Sequence, residues 1–174
     1  MMNPISHEKI ASTIADFRLP AYIEIPDVGL YLEQTSKYIS DFIAPLQMPP
    51  MTGSMISNYV KKGLIASPVR KQYSREQIAQ LIFISLAKAV MSIDDLRLMM
   101  GIQRETYPSQ IAYDYFRGEL VNVLTCVFSG TDALPSIEED ASEQKVMLRN
   151  MIIALAHKVY LDKLFVLLRQ KKEF

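Results

Sequence analysis

Apolar residues recur along this chain at three- and four-residue intervals almost from end to end, the spacing of helices with one buried face. Ser6 is placed to cap a short first helix with the stripe Ile10, Ile14 and Phe17, and Pro20 stops it. Residues 18–29, with Pro20, Pro26 and Gly29, read as an irregular connector anchored by Leu19, Tyr22, Ile23 and Ile25. A second helix is expected from Tyr31 to Ala44, burying Leu32, Thr35, Ile39, Phe42 and Ile43. Pro45, Pro49 and Pro50 then force an extended stretch.

The next helix is short. Thr52 or Ser54 caps it, Met55, Ile56, Tyr59 and Val60 form its apolar face, and Gly63 supplies the left-handed residue that ends it. Its other face carries Ser57, Asn58, Lys61 and Lys62. Residues 66–73 contain Pro68 and end in Tyr73; they are too short for a helix and read as a tight β-ribbon. Ser74 with Gln77 forms a capping box ahead of Ile78, Leu81, Ile82, Ser85, Leu86 and Ala89. Ser92 with Asp95 repeats the box before Leu96, Met99 and Met100, with Gly101 as the expected stop. Pro108 and Ser109 restart the chain in a helix whose stripe reads Ile111, Tyr115, Val121, Leu124 and Phe128, ending at Ser129–Gly130. After a loop containing Pro135, a long helical pattern runs from Ser136 or Asp140 to Lys171. The pattern predicts an all-α fold with one small β element and no internal repeat.

Composition changes this picture little: 49% hydrophobic and 22% charged residues describe a globular chain with a real core rather than a disordered one. No apolar run reaches the ~18 residues of a membrane span. The first ten residues, with Glu8 and Lys9, lack the apolar core of a secretory signal, so a cytoplasmic protein is expected. Catalytic chemistry is hard to assemble. Cys126 is the sole cysteine, and neither His7 nor His157 has a metal-ligating neighbour at useful spacing; His157 reads as a partly buried helix residue. Glu138, Glu139 and Asp140 stand in the expected first turn of the last helix, where negative charge complements the helix dipole. The expectation is a protein without cofactor or metal and without enzymatic activity. Ten methionines either fill the core or line a plastic pocket.

Charge position is more telling than net charge, which is zero. Between Asp41 and Glu76 there is no acidic residue, while Lys61, Lys62, Arg70, Lys71 and Arg75 give a local charge of +5. An acid-free basic island is a hint of a polyanion partner, or a solvated loop balanced by acids brought near in the fold. The order of elements over residues 31–101 (helix, break, short helix with a basic polar face, glycine stop, basic ribbon, two capped helices) is that of a winged helix-turn-helix. Asn58 suits paired bonds to adenine, and Lys61 and Lys62 suit phosphates.

The stretch Met55–Leu64 (MISNYVKKGL), then Pro68, Lys71-Gln72-Tyr73, Ile78, Leu81 and Ser92-Ile93-Asp94-Asp95-Leu96, resembles the DNA-binding domain of MerR-type transcriptional regulators. Over most of residues 18–100, including Leu19-Pro20 and Leu30-Tyr31, the chain is also similar to an uncharacterised family from Gram-positive bacteria, known only as a domain of unknown function. MerR-type proteins usually carry arginine where Ser57 stands, a second tyrosine at Asn58 and a glutamate at Val60, and their wing is longer. The resemblance implies phosphate contacts at Tyr59 and Lys71, although Tyr59 equally suits a core aromatic. Face and charge add Ser54, Ser57, Asn58, Lys61, Lys62, Arg70 and Arg75.

The implied division is an N-terminal helix and connector (1–30), the winged domain (31–101) and a C-terminal helical bundle (107–174). A single winged domain of this charge binds DNA weakly, so a homodimer on double-stranded DNA is expected, joined through the C-terminal helices. The opposing expectation is that Val146, Met151, Ile152, Leu155, Val159, Leu164 and Leu168 are consumed inside one monomeric core. A second function class is a helical adaptor that keeps the winged scaffold without binding DNA and captures a protein through residues such as Leu155 and Val159.

Overall fold

The computed structural model describes residues 5–130, 133–134, 136–139 and 141–172. Among them the chain is mostly helical, with seven α-helices and one pair of short antiparallel strands. In order these are α1 (His7–Ser12), β1 (Leu30–Tyr31), α2 (Leu32–Ile43), α3 (Gly53–Lys61), β2 (Gln72–Tyr73), α4 (Arg75–Ala87), α5 (Ile93–Thr106), α6 (Ser109–Ser129) and α7 (Glu143–Lys172). No helix among the described residues is long and apolar enough to cross a membrane.

Local signals set most helix starts. The hydroxyls of Ser6, Thr52, Ser74 and Ser92 accept the backbone N–H three residues on, satisfying donors that the first turn leaves open. Gln77 completes the box at α4, its Oε1 accepting from the Ser74 N–H at 2.9 Å. Of the two cap candidates for α3, Thr52 serves, and Ser54 lies exposed in the first turn.

α4 is the axis of the molecule. Ile78, Ala79, Leu81, Ile82, Ile84, Leu86 and Ala87 are all buried, so it has no solvated face over most of its length and packs against α2, α6 and α7. A single apolar cluster joins these helices to α1 and α3. Phe83 of α4 meets Phe116 of α6 edge-to-face at 5.1 Å.

Four expectations are corrected. α1 stops at Ser12, and Ile14 and Phe17 lie in turns beyond it, which lead Leu19 and Pro20 into the core. There Arg117 Nε donates to the Leu19 carbonyl and the Tyr113 hydroxyl to the Pro20 carbonyl, both at 2.9 Å. α5 does not end at Gly101; it continues to Thr106, because buried Met100 and an anchor from Arg104 outweigh the roughly 1 kcal/mol that a helical glycine costs. On α6, Ile111 and Val121 are 58% and 42% exposed, and the buried set is Tyr113, Phe116, Leu120, Val123, Leu124 and Phe128. Phe116, Leu120, Val123, Leu124 and Phe128 pack on that face, and the Tyr113 hydroxyl is satisfied there by the Pro20 carbonyl. Finally, the segment 66–73 is not a self-contained ribbon: β2 pairs with β1 (Leu30 opposite Tyr73, Tyr31 opposite Gln72), and only the bridge Val69–Gln72 belongs to a local turn.

α7 starts at Glu143, so Glu138 and Glu139 precede it, and Glu138 pairs with Lys145 at 3.1 Å. Pro135 and Asp140 lie outside the described residues, as does the N-terminal Met1–Pro4. Met151, Ile152, Leu155, Ala156 and Val159 are buried within this one chain, so Leu155 and Val159 are not a free capture face. His157 is exposed rather than partly buried. Lys163 is 5% exposed; its ammonium donates to the carbonyls of Thr13 (3.2 Å) and Pro45 (2.5 Å), tying α7 to the chain after α1 and to the α2–α3 connection. Burial lowers its pKa.

Candidate nucleic-acid interface

α3 is nine residues long and divides cleanly. Ile56 and Tyr59 are buried, while Ser54, Ser57, Asn58 and Lys61, together with the cap residue Lys62, are exposed on the opposite face at helical spacing. Tyr59 is 5% exposed and burial raises its pKa, so its ring lies in the core, the alternative that the sequence left open. The helix ends in a Schellman motif. Gly63, at φ +68°, donates to Val60 O at 3.0 Å, Leu64 donates to Tyr59 O at 2.9 Å, and the Leu64 side chain is fully buried.

The backbone behind this face is fastened from three sides. Arg97 of α5 donates to the Lys62 carbonyl at 2.8 Å and Arg104 to the Leu64 carbonyl at 3.0 Å. Gln77 of α4 donates through Nε2 to Ala66 O at 2.9 Å, while its Oε1 serves the capping box. At the other end, Ser36 and Ser40 of α2 bond the carbonyl and N–H of buried Met51 at 2.6 and 3.0 Å, which sets how the connection enters α3. That connection runs from Ala44 to Thr52 and includes a one-turn 3₁₀ segment, Ala44–Leu46. Arg97, Arg104, Ser36 and Ser40 were not singled out from the sequence, because nothing near them in the chain announces a partner 11 to 40 residues away.

The basic turn lies at Val69–Gln72. Gln72 N–H donates to Val69 O at 2.9 Å, and the two central residues, Arg70 and Lys71, have φ of 50° and 64°. Positive φ at both centres is the signature of a type I′ turn, ordinarily the place of Asn and Gly. Here two long cations occupy it, both exposed. Gly29 (φ +80°) lets β1 approach, since a Cβ there would stand 3.0 Å from that of Gln72. Among the described residues, Lys61, Lys62, Arg70 and Lys71 have no carboxylate within ion-pair distance.

Arg75 is different from these four. Its Nε donates to the Ile25 carbonyl at 2.8 Å, its guanidinium lies over the Tyr22 ring and 3.9 Å from Asp27, and its side chain is 20% exposed. It holds the connector onto α4 and does not belong to the free face. Glu33 of α2 lies against the first turn of α3, where a Cβ on Gly53 would stand 3.3 Å from the carboxylate. The exposed face therefore runs from an acidic edge at its start to a basic end at Lys61–Lys62, each sign complementing the helix dipole.

These features define a helical protein presenting a short, rigidly mounted polar and basic helix face. The chain belongs to the family described as a domain of unknown function, DUF1836, whose model matches residues 20–116, more than half of the sequence. The match covers the connector, both strands and α2 to α5, and ends at Phe116, the α6 ring packed on Phe83. No curated protein and no solved structure matches the chain.

Proposed function

We propose that this protein is a sequence-specific DNA-binding transcriptional regulator of the cytoplasm, built on a winged helix-turn-helix of MerR type, with α3 in the major groove and the turn at Arg70–Lys71 on the adjacent backbone. The observation that carries the reading is the set of four exposed cations without acidic partners among the described residues, beside the hydrogen-bonding side chains of Ser54, Ser57 and Asn58. A groove-reading helix must bury one face and hold the other still, and the bonds from Arg97, Arg104 and Gln77 do the holding. Asn58 reads a base edge, the lysines and the turn cations neutralise phosphates, and Tyr59 positions the helix from within the core. The protein acts as a homodimer, since one such face neutralises too few phosphates for tight binding. Leu161 and Phe165, one turn apart on α7 and 47% and 50% exposed, supply apolar surface for that contact.

The test is retention of sheared genomic DNA by the purified protein over a salt series, with the bound fraction sequenced. Enrichment of inverted repeats is the expected result. Lys61→Ala with Lys62→Ala should weaken binding to all sequences and lower the slope of log K against log salt by about 1.8. Asn58→Ala should instead reduce discrimination at one base pair by ~1–3 kcal/mol. Absence of retention at low salt overturns the reading and leaves the adaptor class, and so does a lysine pair whose loss changes nothing.

A further inference from the structure

We propose that the cavity enclosed by α4, α5, α6 and the first turns of α7 is a binding site for a small planar aromatic molecule bearing an anionic group. The cavity measures about 330 Å³, within the range of small-molecule sites. Its walls are the rings of Phe83, Tyr115 and Phe116 and the thioethers of Met99, Met100 and Met147, a surface suited to a flat apolar body. Ala79 and Ala112, small residues on facing helices, create the space. Methionine is the flexible gap-filler of protein interiors, yet three methionines converge here and leave the gap open.

The charge preference follows from the rim. Lys145 also lines the cavity, its ammonium 5.3 Å above the Tyr115 ring. Its carboxylate partner, Glu138, has a side chain 73% exposed, so a ligand anion can replace a loose surface pair rather than break a buried one. Glu76, the acid on the lining, accepts from the Ser109 hydroxyl at 2.5 Å. Gln80, Gln103 and Gln144 add amides to the wall and favour one orientation of a bound ring system. The site shares no residue with the exposed face of α3 or with Arg70 and Lys71, and it stands whether or not the protein binds DNA.

The full-length protein, with its methionine methyls isotopically labelled, can be titrated with anilinonaphthalene sulfonate and with uncharged phenylnaphthylamine. The expected result is saturable binding of both probes, with shifts at the Met99, Met100 and Met147 methyls and none at Met48, Met51 or Met55. Lys145→Gln should weaken the sulfonate about fivefold and leave the uncharged probe unchanged. Ala112→Phe, which fills the cavity, should abolish both. Silence of the three methyls up to about 1 mM probe overturns the site. Binding lost instead through Phe165→Glu on the exposed face of α7 does the same, and equal affinity of wild type and Lys145→Gln for the sulfonate overturns the anion assignment.

Discussion

Replacing Arg70 with Asn and Lys71 with Gly should make the protein more stable and a poorer partner for DNA at the same time. Both residues hold left-handed backbone, φ 50° and 64°, at the centre of the turn that closes on the Val69 carbonyl. For a side chain with a Cβ this conformation costs ~1–2 kcal/mol per residue, and the Asn-Gly pair relieves most of it. The new glycine gives back ~0.5–1 kcal/mol as extra freedom of the unfolded chain. Among the described residues, neither native side chain makes an ion pair that the change would sacrifice. The net gain is about 1–2 kcal/mol, a rise of roughly 3–6 °C in Tm for a chain of this size. On the binding side, the proposed interface loses two phosphate contacts, which should lower the salt slope by about 1.8. Urea and thermal unfolding read the first effect, and anisotropy of a labelled operator over a salt series reads the second. Unchanged or reduced stability would refute the strain argument. Greater stability with an unchanged salt slope would remove the turn from the interface, because the two cations would then occupy an unfavourable conformation to no binding end.

Gly63→Ala should cost about 1 kcal/mol in urea unfolding: no atom stands within 4 Å of the site for a Cβ, so the loss is backbone strain at φ +68° alone. Arg97→Ala with Arg104→Ala should speed hydrogen exchange across residues 62–67 and weaken DNA binding while global stability falls by only ~1–2 kcal/mol; unchanged exchange there would show that the two guanidiniums do not hold the segment. Tyr113 is buried with its hydroxyl on the Pro20 carbonyl, and desolvation holds its phenol protonated far above the ordinary range. The unfolded chain gives up that proton near pH ~10 and the native one does not, so stability declines as pH rises past about 10. Tyr113→Phe should cost ~1 kcal/mol at neutral pH and make the alkaline decline shallower; parallel urea midpoints for the two proteins across that range would contradict the assignment.

Much of this molecule is written in short words of sequence. Thr52, Ser74 and Ser92 start their helices, Gly63 ends α3, and the alternation of Ile56 and Tyr59 with Ser57, Asn58 and Lys61 assigns that helix its two faces. Each such signal acts within one or two turns, so caps, stops and faces are readable from neighbours alone. Tyr59 was equally suited to a phosphate or to the core, and its ring went inside. On α6 the stripe through Ile111 and Val121 misleads: Tyr113, Phe116, Leu120 and Val123 are buried instead, and the Tyr113 hydroxyl meets the Pro20 carbonyl 93 residues away.

The amino-acid sequence by itself thus determined the helical class, the position of the short polar and basic helix, and the acid-free interval around it. Tertiary structure alone decided that β2 finds its partner in β1 across forty residues, that Arg75 clasps the connector instead of facing solvent, and that Arg97 and Arg104 fasten the chain beyond α3. It also decided that α4, α5, α6 and α7 meet around an open cavity rather than a filled one. The reason is physical: propensity, capping and amphipathic period are sums over adjacent residues, whereas pairing, anchoring and void space depend on which remote surfaces come to share a boundary.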